Sequence, residues 1–450
     1  MAEAPKKLAK RARAQIIPQA HKQGRLIVKF RPESTAEQRA FVLNAFAKDE
    51  KPLRGSSRLS RLILKDGLDV ANTLFNARQL DNVVEYAEPD YIVTRVDTAT
   101  QVLPAPNDPA FPQQWALANT GQNSGVAGAD IGAQTGWQTT TGSAQTVIAV
   151  IDTGIDARHP DLAGNLWVNA REAKGSQGTD DDRDGYTDDL NGWNFVSDTN
   201  NITDDQGHGT ALAGIIAAQG DNAVGVTGVM WKASLMPLKA LDATGSGAIS
   251  DVVEAMDFAT AHGAGVINCS FGTTGYSQSL LDAINRAASS GALVVASAGN
   301  DGQYLSQTPY YPASYTAANL ITVAATTNGD QLATFSNWSA TLVHIAAPGV
   351  DVLTTYPGNR YISLTGTSAA APLVAGVAGL LKTMRGWVSA QTVKKSLIEG
   401  ARKVGYLNGK VVAGGVVSAG EAVAVFMKGN NDGGSGGGGG GTGGGGGTGG

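Results

Sequence analysis

Val147-Ile148-Ala149-Val150-Ile151-Asp152-Thr153-Gly154-Ile155-Asp156 opens with five apolar residues in a row. Such a run suits a strand buried on both faces of a parallel sheet, and so an α/β fold. Asp152 closes the run. Open α/β sheets carry their chemistry at the carboxyl ends of their strands, so a carboxylate here is a candidate functional group. A second apolar stretch, Val266-Ile267-Asn268-Cys269-Ser270-Phe271-Gly272, also reads as a buried strand.

Two segments further along add the partners such a carboxylate needs. In Gly207-His208-Gly209-Thr210-Ala211-Leu212-Ala213-Gly214-Ile215-Ile216 a histidine opens a helix of small residues. In Gly366-Thr367-Ser368-Ala369-Ala370-Ala371-Pro372 a serine stands just before the apolar run Leu373 to Leu381. That places a hydroxyl at the first turn of a helix, where N–H groups are unpaired and the dipole favours negative charge. Each segment alone also fits a helix cap. Together, Asp, His and Ser supply what a hydroxyl nucleophile needs. Neutral imidazole takes the proton, and the carboxylate holds the tautomer and steadies the imidazolium.

These motifs, in the order Asp, His, Ser, resemble the subtilisin-like serine protease family over roughly residues 107–428. A fourth match is Val294-Val295-Ala296-Ser297-Ala298-Gly299-Asn300. The resemblance implies a three-layer α/β/α domain with a mostly parallel sheet. It implies Asp152, His208 and Ser368 as catalytic residues, with Asn300 and the Ser368 N–H as oxyanion donors. Two positions depart from the commonest family pattern: Ala211 stands where histidine is frequent, and Ala369 where methionine is frequent. Neither supplies catalytic chemistry. A catalytically silent relative that binds peptides is the competing reading, and the four intact positions argue against it. The serine-carboxyl peptidases of similar fold use Glu where this chain has His208.

Composition agrees with a large globular enzyme. The 450 residues leave room for one large domain and a smaller one. Lys+Arg number 34 against 39 Asp+Glu, a net charge of −5, which provides no basic field for nucleic acid. Cys269 is the single cysteine, so no intrachain disulfide forms and a structural, buried thiol is expected.

The first hundred residues have another character. Residues 1–23 are basic, look flexible and carry no apolar signal-peptide core. Leu26 to Phe30 reads as a strand, Ala36 to Ala47 as a helix, Leu59 to Leu64 as an alternating strand, Val70 to Leu80 as a helix and Val83 to Tyr91 as a last strand. The order βαββαβ is ferredoxin-like. This small α+β domain, residues 24–94, resembles the inhibitory propeptide of subtilisin-like zymogens. The resemblance implies that it templates folding, acts as an intramolecular inhibitor with its tail in the cleft, and is cut off in a linker at 95–106. An unrelated α+β domain is the alternative. The peptidase domain is expected at 107–428, followed by a Gly-rich, disordered tail at 429–450.

The resemblance also places substrate and metal sites. Ser270, Phe271 and Gly272 match one wall of the S1 pocket, with Ser297 and Gly299 on the segment leading to Asn300. Gly245, Ser246 and Gly247 match the edge that pairs with an extended peptide, and Tyr310 matches the S1 base, where a tyrosine shortens the pocket. Asp161 and Asn222, with the carbonyls of Gly220, Val224 and Val226 and with Asp108, match the family's tight calcium site. Asp180, Asp182, Asp184 and Gly185 begin like a calcium loop. The twelfth position is Asn191, so Asp188 or Asp189 must substitute, and Asp189 is carried as the candidate. One or two structural calcium ions, protein and peptide substrates, a monomer, no membrane span, no nucleic acid and an extracellular location complete the expectation.

Overall fold

The computed structural model describes residues 21–53, 58–91, 104–385 and 388–429. It divides into two compact units, Met1–Gln101 and Val102–Gly450. The basic segment up to residue 20, the linker residues 92–103 and the tail from residue 430 lie outside the described residues.

In the first unit β1 (His21–Phe30), α1 (Ala36–Phe46), β2 (Ala47–Pro52), β3 (Leu59–Leu64), α2 (Val70–Arg78) and β4 (Val84–Tyr91) follow one another. The strands lie in the order β2-β3-β1-β4, all neighbours antiparallel. Thr35 caps α1, accepting from the Gln38 N–H while the Gln38 side chain accepts from the Thr35 N–H. That pair is the Thr-x-x-Gln capping box. Alternation in β1 and β3 sends Leu26, Val28, Leu62 and Leu64 inward against Val42, Val70 and Leu74 of the helices. β1 begins at His21, five residues ahead of the expected strand start at Leu26. The second strand of the βαββαβ order, which the apolar pattern left without residues, is Ala47-Lys48-Asp49-Glu50-Lys51-Pro52. It is an edge strand, and edge strands carry charge and Pro instead of an apolar face.

The second unit begins with α3 (Ala133–Trp137), β5 (Gly142–Asp152), β6 (Trp193–Asn194), α4 (His208–Ala217), β7 (Lys232–Lys239) and α5 (Ile249–Ala261). It continues with β8 (Val266–Cys269), α6 (Gln278–Ser289), β9 (Leu293–Ser297), β10 (Leu320–Thr326), β11 (Ile345–Pro348) and the hairpin β12 (Val352–Tyr356) and β13 (Arg360–Leu364). It closes with α7 (Thr367–Thr383), α8 (Ala390–Glu399), β14 (Arg402–Lys403), β15 (Gly415–Val416) and α9 (Ala419–Lys428). The sheet order is β14-β15-β11-β10-β9-β8-β5-β7-β6, parallel except for the β14 edge.

The unbroken apolar run of β5 follows from its place in this sheet. Ile148 and Val150 pack on one side with Leu212 and Ile216 of α4 and Leu373 and Val377 of α7. Ala149 and Ile151 face the other side with Met256 of α5 and Leu280 and Ile284 of α6. Both faces are covered, so no polar position remains. Each fully buried Ile contributes about 1.5–3 kcal/mol relative to exposure. From β5 the chain moves to β7 on one side and to β8, β9 and β10 on the other. β5 is therefore the switch point of the sheet, where a crevice opens at the carboxyl ends of the strands.

Candidate active site

Asp152 ends β5 in that crevice and is fully buried. Its Oδ1 accepts from the Thr153 N–H and lies 2.8 Å from His208 Nδ1. His208 is the first residue of α4, and the helix start is drawn close to the loop after β5. A Cβ at Gly209 would collide with the Gly154 carbonyl, so only glycine allows this approach. Asp204 ties the two segments together. Its Oδ1 accepts from the Thr153 hydroxyl and the N–H groups of Gln206 and Gly207, and its Oδ2 accepts from the Thr210 N–H and hydroxyl. Burial pushes the His208 imidazole down, but the Asp152 charge and hydrogen bond, with Asp204 behind them, outweigh it and hold His208 above its ordinary value.

Ser368 is the second residue of α7. Pro372 lacks the N–H that would bond the Ser368 carbonyl four residues back. That carbonyl accepts instead from the Ser270 hydroxyl at 3.2 Å. The Pro inside the helix thus links the serine turn to the end of β8. Gly366 has a φ of 152°. A Cβ there would lie 2.9 Å from Ser368 Oγ, 3.3 Å from Asn300 Nδ2 and 3.6 Å from the Ser368 N. One hydroxyl and two N–H donors therefore surround a single point. Asn300 aims its Nδ2 this way because its Oδ1 is held by the Thr367 N–H and hydroxyl.

One cleft of about 440 Å³ joins His208, Ser368 and Asn300 with Gly245, Ser270, Phe271, Gly272, Ser297, Gly299 and Tyr310. The Tyr310 ring lies against both Gly272 and Gly299, since a Cβ on either glycine would meet it. Ser246 and Gly247 differ from expectation. The Gly245 and Ser246 N–H groups and the Ser246 carbonyl are bonded to Asp242 in a tight turn, so they are not free to pair with an extended peptide. Gly247 packs its Cα against the Ala240 carbonyl. Thr153, Gln206, Asp301 and Thr367 also line the cleft, each within two residues of an expected catalytic or oxyanion residue. Cys269 is buried and burial pushes its thiol well up, so it is no nucleophile.

The candidate metal residues form three groups. Asp161 is fully buried and accepts from Asn222 Nδ2 at 3.0 Å, the Val226 N–H at 3.0 Å and the Tyr361 hydroxyl at 2.9 Å. Asp108 accepts from the Asp221 N–H through Oδ2, while its buried Oδ1 has no hydrogen-bond partner among the described residues. Burial raises this carboxyl above its ordinary value. The carbonyls of Gly220, Val224 and Val226 accept no hydrogen bond among the described residues. An orphaned buried carboxylate oxygen beside free carbonyls fits an oxygen-ligated cation. Asn222 is the exception: its Oδ1 is taken by the Val224 N–H and its Nδ2 faces Asp161.

The acidic loop does not gather Asp180, Asp182, Asp184 and Asp189 around one point. Asp180 and Asp182 group with Glu172, and Asp182 and Asp184 group with His262. Asp180 spends its oxygens closing the loop on the N–H groups of Arg183, Asp184 and Gly185. Glu172 and His262 were not legible as partners, because nothing in their spacing connects them to the loop.

The sequence profile of the subtilase family matches residues 143–417. A thermophilic serine proteinase of Bacillus sp. (strain AK1) is 36% identical over 365 residues, 80% of this chain and 78% of that protein. Thermitase of Thermoactinomyces vulgaris is 37% identical over 287 residues, 64% of this chain and 91% of its own. Subtilisin DY of Bacillus licheniformis is 39% identical over 263 residues, 58% and 85% respectively.

Proposed function

Because the chain belongs to the subtilase family and is a subtilisin-like serine endopeptidase, we propose that it is made as a self-processing zymogen working through Asp152, His208 and Ser368. Ser368 Oγ attacks the scissile carbonyl as His208 Nε2 takes its proton. Asp152 at Nδ1 holds the imidazole in the tautomer that leaves Nε2 free, and stabilises the imidazolium. The carbonyl oxygen becomes an oxyanion held by Asn300 Nδ2 and the Ser368 N–H. His208 then protonates the leaving amine, and a water repeats the cycle on the acyl-enzyme. The observation that carries this reading is the single point beside Gly366 that Ser368 Oγ, Asn300 Nδ2 and the Ser368 N–H share.

The first unit acts as the propeptide domain, supported by its βαββαβ order ahead of a peptidase domain. Cleavage falls between about Thr94 and Asn107, mostly outside the described residues. Tyr310, set between Gly272 and Gly299, shortens the S1 pocket and disfavours large P1 side chains. Calcium holds the loops around Asp108 and Asp161, and a second ion suits the all-oxygen group Glu172, Asp180 and Asp182. It supports the fold and takes no part in the chemistry. The enzyme is proposed to act outside the cell as a monomer; no described helix is long and apolar enough to cross a membrane.

The test follows the intact mass of the full chain and of its Ser368→Ala variant over time in calcium. Loss of the N-terminal ~100 residues, the size of the first unit, in the parent alone supports the reading. If both stay whole and a serine-directed fluorophosphonate leaves Ser368 unlabelled, the silent peptide-binding reading replaces it.

A further inference from the structure

His262, the residue that ends α5, carries a second kind of metal chemistry. Its Nδ1 is 2.9 Å from the Phe258 carbonyl one turn back, so that nitrogen bears the hydrogen. The ring is fixed, stacked on Phe258 with centroids 4.0 Å apart and edge-on to Trp167. Nε2 lies 3.0 Å from Asp184 Oδ2 and 4.0 Å from Asp189 Oδ2. The protonated ring ion-pairs with Asp184 through Nε2–H, and the neutral ring offers the same nitrogen to a metal ion shared with these carboxylates.

The carboxylates are prepared in the same sense. The Asn169 amide donates to Asp182 Oδ2 at 3.0 Å and to Asp189 Oδ1 at 2.9 Å. It thereby ties down one oxygen of each. The other oxygens, Asp182 Oδ1 and Asp189 Oδ2, are buried and have no hydrogen-bond partner among the described residues. The Asp189 side chain is 0% exposed, and such a group is costly to bury without a counter-charge. Donor atoms of Asp182, Asp184 and His262 lie within 4.8 Å of one another. A surface cavity of about 360 Å³ lined by Asn169, Asp182, Asp184 and His262 gives access.

We propose that Asp182, Asp184, Asp189 and His262 form a seat for a borderline divalent transition ion of the zinc class, stapling the acidic loop to the end of α5. Imidazole nitrogen with carboxylate oxygens suits zinc, cobalt or nickel, whereas calcium takes oxygen only. A histidine whose far nitrogen is pinned to a backbone carbonyl is the usual outer support of such a ligand. The seat shares Asp182 with the oxygen-only group of Glu172, Asp180 and Asp182, differs from it in the histidine nitrogen, and does not depend on the peptidase chemistry.

The full chain carrying Ser368→Ala, which prevents self-digestion, is stripped with chelator, returned to excess calcium and titrated with Co²⁺. One equivalent is expected to bind with the visible absorption of a nitrogen-bearing site, to be displaced by Zn²⁺, and to resist calcium. His262→Gln is expected to weaken that equivalent by at least about 100-fold, the upper end of what loss of a mere outer-shell partner costs, while keeping the calcium-dependent melting temperature. Asp184→Asn serves as the second variant if His262→Gln fails to fold. No saturable Co²⁺ in the parent, displacement of Co²⁺ by calcium, or equal Co²⁺ uptake by parent and variants overturns the proposal.

Discussion

The side-chain oxygen of Asn300 accepts two hydrogen bonds from Thr367, from its N–H and from its hydroxyl, each 2.8 Å long. The amide nitrogen is thereby left facing the cleft beside Ser368. Thr367→Val keeps the N–H bond and removes the hydroxyl one. It is expected to lower kcat about fivefold with KM little changed, the effect of loosening one net hydrogen bond of about 1 kcal/mol. Asn300→Ala should cost about 10²–10³ in kcat, the magnitude established for this asparagine in subtilisin itself. Steady-state kinetics on a peptide anilide separates the two; an unchanged kcat in Thr367→Val removes it as a positioning residue.

His208 is held above its ordinary pKa of about 6.5. Because activity requires the neutral ring, the acid limb of kcat/KM is expected above that value. Asp204→Asn removes one of the charges that raise it, so the limb should move to lower pH. The linkage has the opposite sign for stability. A raised folded value means that the protonated pair stabilises fully below about pH 6.5 and loses that contribution as pH rises through the folded value. A limb that stays in place in Asp204→Asn would remove Asp204 from the electrostatics of the site.

Gly366→Ala puts a methyl group 2.9 Å from Ser368 Oγ and 3.3 Å from Asn300 Nδ2, at a φ of 152° that side chains rarely adopt. Activity should fall by more than about 100-fold, comparable to losing an oxyanion donor, and fluorophosphonate labelling of Ser368 should slow with it. Wild-type labelling by this variant would mean that the space beside Gly366 is not where the tetrahedral adduct sits.

Tyr310→Gly opens the space between Gly272 and Gly299. Hydrolysis of substrates with Phe at P1 should rise relative to Ala at P1 by about 10-fold or more, since a methylene-sized fit is worth about 1–3 kcal/mol. A parent enzyme that already prefers Phe over Ala contradicts the shortened pocket.

Chelation should lower the melting temperature of the Ser368→Ala chain, and calcium should restore it. At a hundredfold excess over Kd one site contributes about 2.7 kcal/mol. Asp108→Asn keeps the shape of the site but removes the charge at its unpartnered Oδ1. It should weaken the response to calcium without altering the His262 seat. Identical calcium titrations of Asp108→Asn and its parent would rule out this site.

Much of the architecture was legible because its signals are local. The five-residue apolar run of β5 already requires cover on both faces, and Ile148 and Ile151 find it on opposite sides. The helical spacing from Ala36 and the Pro and Gly punctuation around Ser368 mark helices from a few neighbours. β2 escaped because an edge strand of Lys, Asp and Glu carries no alternation to read. The Gly245 to Gly247 segment was read as open backbone, but Asp242 takes the Gly245 and Ser246 N–H groups and the Ser246 carbonyl, a competition with substrate that pattern cannot reveal.

Residue chemistry along the chain was enough to say that Asp152 ends a strand, that His208 and Ser368 open helices, and that carboxylates crowd one loop at residues 180–189. Those features depend on backbone geometry within a turn or two. Which groups meet was set by the packed chain alone. Asp152 reaches His208 across 56 residues, and Asn300 reaches Thr367 across 67. The acidic loop finds His262 at the far end of α5. Hydrogen-bond partners, burial and orphaned oxygens depend on where distant segments are brought together, and that is a property of the whole sheet and its helices.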